Sequence, residues 1–552
     1  MATTTTASSV SAAQLPAKLV TLRGYERLTT LADHGSFKVA HVMVVRGQLD
    51  ELLRHLPMAL VHTFNKHPRM RATQVQGSFA YAHIQPQIQL QGIVTHRLLG
   101  IRGTSNEEER LGKWQKHIEE ESNQPFNRYV QFPFFLRVWV NKENNTARFI
   151  LFSDKFMSDG ISGNVVFNDL LEFASQLSLA NGKPLDKKHL SELPLRPSLY
   201  HAWLDHQYSA GWLKFCAKWF SKSHFKTNMK TFKPLVTPRA DQNDMTMPPK
   251  CNATSVLFAD GSEENFKKIW AKCDKEGVKL SHALAVTVLL GYYAMQPQAA
   301  APEAEKEHQP EDEPEATKAA ASKKVAAKKE KPAPFKVRMD TLIDMRRRVE
   351  YPAPETQIGD YMTAYPFESF ARNGVQLDSV KFWDLARANK DELVAILDSY
   401  SLPMPMIFTD KSFTSKTDAK FFSEIPLRHS STADVTLSNI GSYAHKTSHL
   451  FRTVDAKTKA PTTGALTVES VHYNCTSPHM SSTASLYVTS VKSLSFGLAH
   501  KYDAKTGKSL LDTLVKLIER IGDIGENDLL SDVVAGVLPP KKVDSKLVAA
   551  TA

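Results

Sequence analysis

The chain has 552 residues, 42% of them hydrophobic and 23% charged, and a formal net charge of +11. This composition points away from a disordered or fibrous protein and toward two to three globular domains, each with its own core. The positive excess favours an anionic ligand or an acidic surface. Zinc-finger spacing, an RNA-binding signature and an aromatic-interleaved basic stripe are all missing, so nucleic acid is not a predicted partner.

Residues 1–19 are rich in Ser, Thr and Ala and lack an apolar h-region, and they are predicted to be a disordered tail. Lys38 to Arg46 (KVAHVMVVR), Leu136 to Val140 and Ala147 to Ser153 read as strands rich in β-branched and aromatic residues. Asp50 to Phe64 and Val165 to Leu179 carry apolar residues at helical spacing. Phe266, Ile269, Trp270 and Cys273 make one face of a further helix, and Ser281 to Met295 a more evenly apolar one predicted to be buried. The longest apolar run, Ala283 to Met295, is too short to span a bilayer, so no transmembrane segment and a cytoplasmic location are expected.

From residue 297 to 335 a Glu-rich block is followed by a Lys-rich one. Between Pro302 and Lys336 eight acidic residues balance eight lysines, and nearly every apolar residue is Ala. Such a segment buries too little surface to offset its ordering entropy and is predicted to be a disordered insert, which leaves the positive excess on the folded body. Ala484 to Ala499 reads as a strand pair, and Leu510, Leu511, Leu514, Leu517, Ile518 and Ile521 stripe a closing helix before a predicted tail at 526–552. Cys216, Cys251, Cys273 and Cys475 are scattered, with neither metal-site spacing nor the density of a disulfide scaffold; no metal site is expected.

The stretch FSDKFMSDGISG, Phe152 to Gly163, falls at the junction of a predicted strand and a helix starting near Ser162, where a loop is held by a sheet yet can project into a cleft. It resembles the His-His-x-x-x-Asp-Gly motif of the CoA-dependent acyltransferase superfamily, which includes peptide-synthetase condensation domains and alcohol acetyltransferases. Asp159 and Gly160 match the Asp-Gly pair. Five more segments match in the same order. LVHTFNKHPRMRA (Leu60 to Ala72) resembles the Arg-His-Pro-x-Leu-Arg helix end, and QPFNRYVQFPFFLRVWV (Gln124 to Val140) the Pro-Phe-Asp segment and its strand. VKLSHALAVTVLLG (Val278 to Gly291) resembles the buried helix of the second lobe. IDMRRRVEYPAPETQIGDY (Ile343 to Tyr361) resembles the Arg-bearing strand with its Gly-Asn turn, and LSNIGSY (Leu437 to Tyr443) the Ser-Asn-x-Gly strand.

The resemblance implies a mixed α/β fold of two chloramphenicol-acetyltransferase-like lobes, residues 20–245 and 250–525, each a mostly antiparallel or mixed sheet flanked by helices, with a tunnel between them. It implies a small-molecule acyl donor, acyl-CoA or another acyl thioester, and an alcohol or amine acceptor, with no covalently bound cofactor and a monomeric chain. In the family a motif histidine takes the acceptor's proton, and the aspartate pairs with an arginine of the second lobe, here Asp159 with Arg346. Ser438 and Asn439 would be donors toward the thioester carbonyl.

The chain departs from the motif at its reactive end. Lys155 stands where the family has its catalytic histidine, and Asp154 stands at the preceding position. Lysine ionises at about 10.4 against about 6.5 for imidazole, and nearby Asp154 or Asp159 would push it further up. A cationic Lys155 is a poor base but can stabilise a developing oxyanion. His282, His472, His479 and His500 are the substitute bases to consider. Two readings follow: altered or weakened acyl transfer, or a non-catalytic binding or scaffolding protein that keeps the two-lobed body.

Overall fold

The computed structural model describes residues 18–30, 37–78, 80–186, 190–207, 215–216, 219, 232–242, 253–296, 333–349, 355–399, 402–411, 431–454, 458–476 and 481–537. Most of the predicted tails and of the charged insert, together with Cys251 and His479, lie outside the described residues.

In the first half the strands are β1 (Lys18–Thr21), β2 (Lys38–Gly47), β3 (Ala72–Gln74), β4 (Tyr81–Ile84), β5 (Leu99–Gly103), β6 (Phe134–Asn141) and β7 (Thr146–Asp154). In the second half they are β8 (Ser255–Asp260), β9 (Met339–Asp344), β10 (Met362–Pro366), β11 (Ser431–Ser442), β12 (Ser448–Val454), β13 (Pro461–Cys475), β14 (Ser481–Ser490) and β15 (Leu494–His500). They form two six-stranded mixed sheets, β12-β13-β2-β7-β6-β5 and β10-β9-β11-β14-β15-β8, and a small antiparallel sheet β1-β4-β3. The first large sheet is antiparallel except for the β5–β6 pair. In the second, β11 runs parallel to both β14 and β9.

β2 is buried along nearly its whole length because both sheet faces are covered. On one face, helices Leu49–Lys66 and Ser162–Ala180 bury Leu52, Leu56, Leu60, Phe64, Val166 and Leu170. On the other, Ala40, Val42, Ile150 and Phe152 meet Trp114 and Ile118 of helix Lys113–Ser122 and Val256 and Phe258 of β8. Helix Leu280–Ala294 packs in the second core with Leu510, Leu514 and Ile518 of helix Ala504–Glu519. No helix among the described residues is long and apolar enough to cross a membrane.

The expected division at 245/250 is crossed by the chain. β13 leaves the second half and pairs with β2 from Leu466↔Gly47 to Cys475↔Val39, carrying β12 with it. The first lobe is therefore built from residues of both halves. The cause is burial: without β13, the backbone edge of β2 and the core side chains Leu466, Val468 and Val471 would face water. The terminal boundaries also move. Lys18 and Leu19 already belong to β1, and helix Leu530–Ala535 buries Leu530, Val533 and Val534 inside the region expected to be a tail.

A fragment of residues 1–245 is thus expected not to unfold cooperatively on its own. Each large apolar side chain that loses its cover forfeits about 1.5–3 kcal/mol, against a whole-domain stability of about 5–15 kcal/mol. Circular dichroism melts of this fragment alone and with residues 250–552 supplied in trans check this; a sharp transition for the fragment alone would refute it.

Candidate active site

The motif loop leaves the end of β7 as a single 3-10 turn, Lys155–Met157, and enters helix Ser162–Ala180. Asp159, at 1% exposure, is the hub. Its Oδ1 accepts hydrogen bonds from the backbone N–H of Ile161 (3.2 Å) and Ser162 (3.0 Å) and from Ser162 Oγ (2.8 Å). From the other lobe, Arg346 Nη2 donates to Oδ1 at 2.9 Å, and Nη1 donates to Oδ2 at 2.8 Å. Tyr361 N–H also donates to Oδ2, at 3.0 Å.

The guanidinium further contacts Asp344, the Gln357 carbonyl and the Tyr361 ring. Burial pushes the Asp159 carboxyl up, and Arg346 with the converging N–H donors pulls it further down, so it stays ionised. Two glycines follow from close approach in this loop. A Cβ on Gly160 would sit 3.0 Å from Ile440, and one on Gly163 would sit 2.2 Å from the His41 ring.

Asp154, at the first motif position, does not face Lys155. Its carboxylate is fully buried and paired with Arg128, with Arg128 Nε donating at 2.6 Å, and it caps Phe156 N–H. Lys155 is half-buried, and its backbone N–H donates to the Phe37 carbonyl at 3.0 Å. Burial pulls its ammonium down, but Asp360, Cys475 and Asp159 push more strongly upward, and its pKa ends above the ordinary lysine value. The dominant carboxylate neighbour is Asp360; of the two that the sequence suggested, Asp159 also acts on Lys155, whereas Asp154 is paired with Arg128.

Asp360 occupies the position matching Asn in the Gly-Asn turn. It is 3% exposed, one residue from the Tyr361 N–H that binds Asp159, and its Oδ2 has no partner. Burial raises its pKa to about 6 even though Lys155 opposes the rise. Behind the loop, Arg69 joins Glu26 (2.7 Å) to Met157 Sδ (3.4 Å), and burial pushes Glu26 up to about 7.

Of the other expected residues, Ser438 is buried on β11. Asn439 Oδ1 accepts from Gly441 N–H at 3.1 Å at a β-bulge, and the neighbouring Ile440 lies against Gly160 of the loop. None of the candidate histidines described is brought to the loop. His282 faces Asn389, His472 faces Asp260 and His500 lies under Gly507.

The sequence reading missed His41 on β2, whose Nε2–H donates to the Gly160 carbonyl at 3.0 Å. It is fully buried, and burial lowers its pKa to about 4, so it serves as a neutral strut. Its signal was a lone histidine in the apolar run KVAHVMVV. No group of three or more His, Cys, Asp or Glu that could hold a metal occurs among the described residues.

Neither a protein-family model nor a curated sequence relative matches the chain. Solved structures do match in shape. Trichothecene 15-O-acetyltransferase from Fusarium sporotrichioides superposes with a TM-score of 0.62 at 12% identity over 91% of this chain and 95% of that one. The first condensation domain of the calcium-dependent antibiotic synthetase gives 0.59 at 11% identity over 93% and 98%. The EpoB cyclization-docking bidomain from Sorangium cellulosum gives 0.55 at 10% identity over 92% and 86%. The chain shares the two-lobed fold of these proteins, two six-stranded mixed sheets flanked by helices.

Two substitutions should act in opposite directions on stability. Asp159→Ala strands a buried Arg346 and is expected to cost about 3–5 kcal/mol in urea unfolding. Asp360 is the reverse case. Its folded pKa is raised, so the native state holds more protons between about pH 4 and 6, and stability falls as pH rises through that window. Asp360→Asn removes this effect and is expected to gain on the order of 2 kcal/mol at pH 7.5. Equal, unchanged midpoints for both variants would contradict the electrostatics described.

Proposed function

We propose that the protein moves an acyl group from acyl-CoA or another acyl thioester to an alcohol or amine, with the chemistry of the motif histidine divided between two residues. Lys155 supplies a fixed positive charge, and Asp360 supplies the proton acceptor. The observation that carries this reading is the buried, unpartnered Asp360 Oδ2, one residue from the Tyr361 N–H that holds Asp159, in a loop tied from both lobes by Asp159 and Arg346.

In such a transfer the acceptor O–H or N–H attacks the thioester carbonyl carbon and its proton passes to the Asp360 carboxylate. The oxyanion forms near the Lys155 ammonium. Collapse breaks the C–S bond, and the thiolate leaves with the proton returned by Asp360. A base ionising near pH 6 is matched to neutral solution, and a lysine shifted above its ordinary value is not. A carboxylate is a weaker base than imidazole, so slow transfer with a preference for amine acceptors is expected.

The scaffold reading rests on a different observation. Tyr473, Cys475, Tyr487 and Ile440 pack with Val39 into a buried cluster beside Lys155, and the same side chains that would line a reaction site would there close it.

Thiol release from a panel of acyl-CoAs separates the two readings. Acyl transfer predicts a kcat/KM that rises through about pH 6 to a plateau, and an Asp360→Asn variant slower by roughly 10² to 10⁴. The double variant Lys155→His with Asp360→Asn rebuilds a neutral histidine and asparagine pair and should recover most of that loss. A protein without thiol release in every version, and without acyl-CoA binding, would leave the scaffold reading standing.

A further inference from the structure

A cavity of about 460 Å³ opens at the start of β6, walled by the end of helix Lys113–Ser122, the Gln124–Phe126 segment and the Thr95–Leu98 turn. Its size is that of a small-molecule site. Neither Lys155, Asp159 nor Asp360 lines it, so it is separate from the motif loop. Its chemistry combines three cations, Lys38, Arg97 and Arg137, with the single carboxylate of Glu121 and a wall of phenylalanine rings.

The cations are not equivalent. Lys38 is almost fully buried, its Nζ lies 3.2 Å from Glu121 Oε2, and it sits over the rings of Phe126 (4.8 Å) and Phe135 (5.3 Å). That pair is internally neutral. Arg137 stacks on Phe135 at 4.5 Å, and its Nη1 donates only to the carbonyls of Arg97 and Leu136. Burial pulls the Arg137 guanidinium below its ordinary range. Arg97 is exposed at the rim in a left-handed backbone conformation, φ 53°, which ordinarily favours Gly or Asn and here points its carbonyl at Arg137. Among the described residues, neither Arg137 nor Arg97 has a carboxylate within ion-pair distance.

With Glu121 acting on both Lys38 and Arg137, the cavity lining keeps a net surplus of two positive charges beside flat apolar rings. A guanidinium fork matches the oxygens of a phosphate or carboxylate, and an aromatic wall takes a planar ring by stacking or edge contact. Two surplus positive charges suit a dianion better than a monoanion. We propose that this cavity binds a phosphate monoester carrying an aromatic or heteroaromatic ring, with the phosphate at Arg97 and Arg137 and the ring packed against the edges of the phenylalanine wall, whose faces Arg137, Phe152 and Lys38 already cover. The site is independent of the acyl-transfer reading.

Isothermal titration of the full chain with phenyl phosphate and adenosine 5′-monophosphate tests this, with inorganic phosphate as the probe lacking a ring. Saturable binding of an aryl phosphate is expected, about tenfold or more tighter than inorganic phosphate and weakened by salt. Arg137→Gln and the exposed-site variant Arg97→Gln should each weaken it by about tenfold, whereas Lys155→Met should leave it unchanged. Because Arg97 is exposed, its variant keeps the test valid if Arg137→Gln misfolds. No saturable binding of either aryl phosphate, equal affinity for inorganic phosphate, or an affinity indifferent to Arg97→Gln would overturn the proposal.

Discussion

The bidentate pair between Asp159 and Arg346 is the interaction on which the rest of the site depends. It joins a loop of the first lobe to a turn of the second, and every donor around it converges on one carboxylate. A charge pair removed from water is not by itself a strong source of stability, because desolvation offsets much of the attraction. What it provides is position. With Oδ1 held by Ser162 and Oδ2 by Tyr361, residues 155 and 360 have little freedom to drift apart.

Against that fixed frame, the exchanges at the reactive end form a set. Asp154 stands at the first motif position and is tied to Arg128, which belongs to the segment matching Pro-Phe-Asp. Lys155 stands at the second, and Asp360 takes the place of an asparagine one lobe away. Where the resembling motif has a histidine and an asparagine, this chain has a cation and an anion that act on each other electrostatically. Together they keep the net charge of the centre near zero. The raised pKa of Asp360 shows that the compensation is partial, which is the condition a proton acceptor near neutral pH requires.

What the sequence made legible was local. The motif, its aspartate and the distant Arg346 are short patterns in a fixed order, and each lies where the fold needs one particular side chain. The strand and helix periodicities likewise placed β2, β7 and the helices after them. The capture of β13 by β2 was not legible, because a strand's partner is set by pairing across more than four hundred residues and leaves no local trace. Helix Leu530–Ala535 was missed for its shortness, since six residues give less than two turns of periodicity. Asp360 was passed over inside a turn resemblance. His41 looked like any core residue of an apolar strand.

Whether Lys155 and Asp360 act as one electrostatic unit is read by a ¹³C NMR titration of the Asp360 carboxyl in the parent and in Lys155→Met. Ionisation near 6 is expected in the parent, with a further rise once the ammonium is removed, because the cation holds the carboxyl down. A carboxyl that titrates near the ordinary aspartate value and does not respond to the loss of Lys155 would contradict it.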